Sequence, residues 1–250
     1  MRVSKNLVWS LFFCCLLLTS VSIMLQAQAL VEKKTLNPTA DSYVESEFPS
    51  TNLGRRGDLL VRELAAVNGW ESLGFLMFDL SSIPSDASIQ WAKLRLLTYA
   101  VDIRALVGVY LCSDNGWTED GITFNNMPSF SQTTLDTANV SATSTRYEWN
   151  ITETVKSTLQ SGDKRLSLVL RADTLGSVLF YSRQNPFSPN YYPELVVQYD
   201  APPQTGIYIP KELIIVAVIG AAAIVLTLAY MLRKGRKKPT PLPSERSRME

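Results

Sequence analysis

Histidine is absent from this 250-residue chain, which removes the commonest general base, the Ser-His-Asp and Cys-His arrangements, and any imidazole-ligated zinc. Chemistry is left to carboxylates, lysine and tyrosine, or to calcium held by oxygen ligands. No HExxH, GxSxG, phosphate-loop or dinucleotide-binding pattern occurs. Asp41 and Glu119 are the carboxylates to consider first for calcium, helped by carbonyls from adjacent loops; their spacing matches no EF-hand, and turn capping is the alternative. Arg62, Arg95, Arg171 and Arg183 either pair with acidic neighbours on the surface or offer paired hydrogen bonds to a ligand's carboxylate. Trp117, before a polar loop, is a core or loop anchor or else a stacking platform, whereas Trp149 shares a strand face with Tyr147 and should be packed. Trp70 lies in the loop Asn68-Gly69-Trp70 and is the freest aromatic.

These residues are positioned by a domain lying between two apolar runs, Leu7 to Leu25 and Leu213 to Leu232. The first, preceded by Arg2 and Lys5 and followed by Ala27-Gln28-Ala29, reads as a signal peptide over residues 1–29; an uncleaved anchor helix is the alternative. The second carries no charge and is long enough to cross a membrane at 1.5 Å of rise per residue. Arg233, Lys234, Arg236, Lys237 and Lys238 follow at once, which orients residues 233–250 to the cytoplasm and the N-terminal side outward. The expected organisation is a domain over 30–200, a Pro-containing stalk over 201–212, a single transmembrane helix over 213–232 and a basic tail, in the cell membrane. Residues 30–210 hold 14 Lys and Arg against 20 Asp and Glu, an acidic balance that argues against a nucleic-acid partner. Cys14 and Cys15 fall in the signal segment, so Cys112 is alone in the exported part, either as a buried thiol or as an intermolecular disulfide partner.

Short runs rich in Val, Leu, Tyr and Phe, broken by Gly, Pro, Asn, Asp and Ser, predict strands. Nine are expected: Ser42 to Glu45, Asp58 to Arg62, Ser72 to Asp79, Ile89 to Thr98, Leu106 to Leu111, Thr145 to Trp149, Arg165 to Arg171, Ser177 to Tyr181 and Glu194 to Tyr199. Around Leu94 and Leu96 the alternation with Lys93, Arg95 and Leu97 predicts one packed and one solvent-facing side. A single helix is expected from Ile151 to Leu159, because Ile151, Val155 and Leu159 recur every four residues after a capping Asn150. The pattern implies an all-β, jelly-roll-like sandwich of two antiparallel sheets with one short helix, plus the C-terminal transmembrane helix. Two sequons, Asn139-Val-Ser141 and Asn150-Ile-Thr152, are available for glycosylation on the exported side. Asn139, in a polar loop, is the better site; a capping Asn150 should resist modification.

Several strings occur in a familiar order. Ala40-Asp41-Ser42-Tyr43-Val44, Asn52-Leu53-Gly54, Phe78-Asp79-Leu80-Ser81-Ser82-Ile83-Pro84 and Ala92-Lys93-Leu94-Arg95-Leu96 come first. Trp117-Thr118-Glu119-Asp120-Gly121-Ile122-Thr123-Phe124, Phe180-Tyr181-Ser182-Arg183 and Pro193 to Tyr199 follow. The set resembles the secreted DNRLRE domains, also classed as carbohydrate-binding module family 96 and related to domains of archaeal surface and disaggregatase-like proteins. The resemblance implies a jelly-roll sandwich and binding of polysaccharide, acidic ones such as alginate included. On that basis Trp117 becomes a candidate sugar platform and the four arginines candidate uronate contacts. Two positions depart from the family pattern: Phe124, where Trp is usual, and Gln184, where Glu is usual. The leading expectation is a non-enzymatic, membrane-anchored surface module that binds glycan or cell-envelope polysaccharide. A structural or adhesive subunit that binds another surface protein is second, and a carboxylate- or Tyr/Lys-based polysaccharide-degrading enzyme third.

Overall fold

The computed structural model describes residues 30–201 and 211–235. The expected signal segment and nearly all of the stalk and tail lie outside them. The chain divides between Pro203 and Gln204 into two compact units. Eleven strands are described: β1 (Val31–Leu36), β2 (Ala40–Glu45), β3 (Asp58–Leu64), β4 (Trp70–Asp79), β5 (Ser88–Ile103), β6 (Ala105–Cys112), β7 (Phe130–Val140), β8 (Arg146–Asn150), β9 (Arg165–Ala172), β10 (Gly176–Tyr181) and β11 (Glu194–Asp200). Beside them stand α1 (Ala65–Asn68), α2 (Thr152–Gln160), α3 (Lys211–Gly235) and one 3-10 turn at Pro189–Tyr191.

Every strand pairing is antiparallel. The long β5 joins two layers. Its first half pairs with β11 and β8, and its second half pairs with β10. The other layer runs from β2 through β4, β9 and β6 to β7. Leu94 and Leu96 of β5, Leu195 and Val197 of β11, Val107 and Val109 of β6, and Leu166, Leu168 and Leu170 of β9 meet in one buried core. The product is an all-β antiparallel sandwich. The alternation of β5 arises because only one of its faces is packed: Ala92, Leu94, Leu96 and Thr98 are buried while Trp91, Lys93, Arg95 and Leu97 are not.

β4 behaves differently. From Leu73 to Phe78 it is continuously buried, because Leu76 and Phe78 enter the main core while Leu73, Phe75 and Met77 enter a second one on the opposite side of the layer. That second core also contains Val44, Tyr110, Cys112, Val169, Trp117 and Ile122, with Phe124, Met127 and Phe130 packed against it. Residues 113–129 therefore act as a strap across the outer face of the layer. Asn52 Nδ2 pins the strap by donating to the carbonyls of Glu119 (2.8 Å) and Ile122 (2.7 Å).

Two strands were not expected. β1, Val-Glu-Lys-Lys-Thr-Leu, and β7, rich in Ser, Thr, Asp and Asn, lie at the two ends of the strand order. Edge strands are largely solvated and lose the hydrophobic period that marks interior ones. Asn139 accordingly stands exposed on the edge strand β7 and not in a loop. The expected helix begins one residue later, at Thr152. The N-cap is therefore Ile151, without a side-chain cap bond, and not Asn150, whose Oδ1 accepts a turn bond from the Thr152 N–H (3.1 Å); Val155 and Leu159 are buried. Trp70 opens β4, half-buried under the Arg62 guanidinium (5.1 Å to the ring centre), and so is not a free loop aromatic.

In the second unit α3 covers the apolar stretch 213–232. Among the described residues no helix is long and apolar enough to cross a membrane, and several α3 side chains are not among those described. The membrane-spanning expectation therefore rests on the sequence.

The strap approaches Gly54 so closely that a Cβ there would collide with the Glu119 carbonyl. Gly54→Ala should destabilise the sandwich by about 1–3 kcal/mol, the usual range for overpacking, read as a lower midpoint in denaturant unfolding. An unchanged midpoint would mean that the strap gives way freely.

Candidate functional site

Asp41 and Glu119 do converge on Arg183, Asp41 on its backbone N–H and Glu119 on its guanidinium. Asp41, at the start of β2, is 1 % exposed. Its Oδ2 accepts from the Arg183 N–H (2.7 Å), while Glu119 Oε1 accepts from the Asp41 N–H (2.9 Å). Arg183 Nη1 then donates to Glu119 Oε1 (3.2 Å) and to the Thr39 carbonyl (2.6 Å). The Arg183 guanidinium supplies a positive charge beside Glu119, and among the described residues no group of three or more Asp, Glu, Cys or His is arranged for a metal. The assembly is a latch joining β2, the strap and the segment after β10. Burial pushes the Asp41 carboxyl up to about 7, against the lowering effect of the Arg183 N–H, and its Oδ1 has no hydrogen-bond partner.

The other expected arginines are also committed, each in its own network. Arg62 contacts Glu45 and Glu47, both at 3.4 Å. Arg171 bonds Asp173 (3.0 Å) and the Tyr110 hydroxyl (2.7 Å), with its guanidinium 4.3 Å from the Tyr110 ring centre. Arg95 pairs with Glu148 at 2.7 Å, on the solvent-facing side of β5. The four do not form one binding cluster. Trp117 is 9 % exposed, edge-on to Phe75, and its Nε1 donates to Ser167 Oγ (3.1 Å). Its faces are spent on the second core, so it is a core anchor and not an accessible platform. Phe124, in the position usually held by Trp, packs against the same core. Gln184 accepts from Ser182 Oγ (3.0 Å), a local bond. Trp149 is fully buried and donates to the Val107 carbonyl (2.9 Å).

The accessible aromatic surface lies elsewhere. A groove of about 330 Å³ is lined by Arg55, Arg56, Gly57, Asp58, Tyr99, Tyr181, Asn185, Pro186 and Phe187, a size within the range of small-ligand sites. Tyr99 is 51 % exposed and Phe187 76 %. Tyr99 meets Tyr181 edge-on with ring centres 5.3 Å apart, and Tyr181 lies against Tyr191 at 4.8 Å and 30°. A β-bulge between Leu179 and Phe180 in the β5–β10 ladder lies opposite Tyr99. Arg55 and Arg56 pair with Asp120 and Asp58, each at 3.2 Å, and both guanidinium groups remain largely exposed. Asn185 Oδ1 accepts from the Phe187 N–H (2.7 Å), but its buried Nδ2 has no partner. Open rings and exposed cations suit a polar ligand with apolar faces.

None of these residues was singled out by sequence. The available signals were Tyr99, an aromatic on the solvent-facing side of an alternating strand, and the Pro- and aromatic-rich string Asn185 to Pro193.

The sequence model of carbohydrate-binding module family 96 matches residues 32–199. No curated protein matches the chain.

Asp41 generates a pH prediction. Its folded value lies above its ordinary 3.8, so its stabilising contribution is complete below that value and is lost as pH rises through about 7. The unfolding temperature of the wild type should fall between about pH 4 and pH 7 more steeply than that of Asp41→Asn. Parallel curves for the two proteins would remove Asp41 as the source.

Proposed function

The chain belongs to carbohydrate-binding module family 96, and we propose that its sandwich, tethered to a cell membrane and facing outward, holds an acidic envelope glycan in the groove beside Tyr181. The family supplies the coarser statement: the sandwich is a carbohydrate-binding, non-catalytic module. The observation that carries the finer reading is the meeting of Tyr99, Tyr181 and Phe187 with Arg55 and Arg56 around one groove. Sugar rings present C–H faces to aromatic rings and hydroxyls to polar groups, and a uronate adds a carboxylate that guanidinium binds through paired hydrogen bonds. The ion pairs now made by Arg55 and Arg56 are exposed and worth about 0–1 kcal/mol each, so a ligand carboxylate can displace them.

Tethering rests on the uncharged run 213–232 and the five basic residues that follow within 233–238.

Glycan arrays carrying alginate, pectate and envelope polymers, run with and without calcium, test the binding. Tyr181→Ala should weaken the bound glycan roughly tenfold, about 1.4 kcal/mol, with folding retained, and added salt should weaken the wild type. No binding in either condition, with capture of a specific surface protein instead, would favour the adhesive reading. For the tether, alkaline extraction should leave the full chain with the membrane pellet and release a chain ending at residue 212. Release of both would refute the anchor.

A further inference from the structure

The groove stands at one end of a longer row. On the solvent-facing side of β5, Trp91, Lys93, Arg95 and Leu97 precede Tyr99, and the eight steps from Trp91 to Tyr99 span about 26 Å at ~3.3 Å each. At the far end Trp91 is half-buried and bracketed by cations. Lys33 Nζ, from β1, is 5.9 Å from its ring centre and Lys93 Nζ is 5.8 Å from it. The register places Trp91 beside Gln198 and Gln198 beside Lys33, so the three stand across β5, β11 and β1 on one face. Lys93 also bonds Glu148 (2.8 Å), whereas Lys33 has no ion pair among the described residues.

Between the two ends lie Arg95, and Arg146 opposite Leu97. Arg146 reaches Glu194 (2.9 Å) and the Asn190 carbonyl (2.7 Å), beside Tyr191. Four cations, Lys33, Lys93, Arg95 and Arg146, thus face three carboxylates, Glu148, Glu194 and Asp200, on a domain whose overall balance is acidic. The row is open, locally basic, and ends in an aromatic station at each extremity. Its chemistry repeats that of the groove: a ring for a sugar's C–H face, with flexible cations above it that can turn to a carboxylate.

We propose that Trp91, with Lys33 and Lys93, is a second station on the same track, so that the domain grips an internal stretch of a linear polyuronate laid along β5 from the groove to Trp91. The proposal rests on the groove being a glycan site. It requires a ligand long enough to reach both stations, which a single-pocket module does not.

Calorimetric titration of the purified full chain in detergent with alginate- and pectate-derived oligouronates, graded from the disaccharide upward, tests it. Affinity should rise with length until the chain reaches Trp91 and then level off. Trp91→Ala should remove that rise, roughly tenfold for the longest oligomers, and leave the shortest unchanged, while Tyr181→Ala weakens every length. Lys33→Ala, a change on an exposed edge strand, should reproduce the length-selective loss without touching the core. Binding that is independent of length, or Trp91 and Lys33 variants that behave as wild type while short oligomers still bind, would overturn the track and leave the groove standing. Failure of every oligouronate to bind would overturn the groove and the track together.

Discussion

The sandwich depends on covering a layer that is apolar on both faces. β4 and β9 send one set of side chains into the main core and the other, Phe75 and Val169 among them, to the opposite side. Left open, that outer face would be a contiguous hydrophobic patch of the kind that marks an interface or an aggregation liability. The chain meets the requirement internally: residues 113–129 lay Trp117 and Ile122 over it. A loop so placed must have its own backbone groups satisfied, which explains the bonds from Asn52 to the carbonyls of Glu119 and Ile122. It also explains why position 54 lacks a side chain where the strap passes.

The latch and the groove are consecutive along the chain at two points. Gly54, against which the strap is seated, immediately precedes Arg55 and Arg56. Arg183, the cation of the latch, comes two residues before Asn185 and four before Phe187. The segments that hold the strap are thus the segments that wall the groove. Asp41 fixes one of them by accepting from the Arg183 backbone N–H, and its buried, half-satisfied carboxyl makes that fixation sensitive to its charge. Stability of the strap and shape of the groove are coupled through these short connections. With one layer's outer side spent on the strap, the solvent-facing side of β5, β8 and β11 remains for a ligand.

Several parts of this arrangement were legible in residues. The alternation around Leu94 and Leu96 gave the interior strand β5, and the fourfold spacing of Ile151, Val155 and Leu159 gave α2 to within one residue. β1 and β7 were not legible because a solvated edge carries no hydrophobic period. Among the candidate site residues, the pairing of Asp41 with Glu119 was legible as proximity, but not the Arg183 backbone N–H and guanidinium that they respectively hold. Trp117 was legible as important and illegible as buried, since an aromatic before a polar loop has the same local sequence whether its ring faces solvent or a second core.

The sequence by itself determined the class of fold, the acidic and histidine-free chemistry, and the family, because strand periodicity, composition and ordered motifs are properties of neighbours along the chain. Only the tertiary structure decided which aromatics and cations are free. Asp58, Tyr99 and the segment from Tyr181 to Phe187 come from three separate stretches, and strand register brings them to one groove. Arg62, Arg171, Arg183 and Trp117 look equally suited to a ligand when read as letters. Their availability is set by partners distant in sequence, Glu45, Tyr110, Glu119 and Phe75, which packing alone brings within reach.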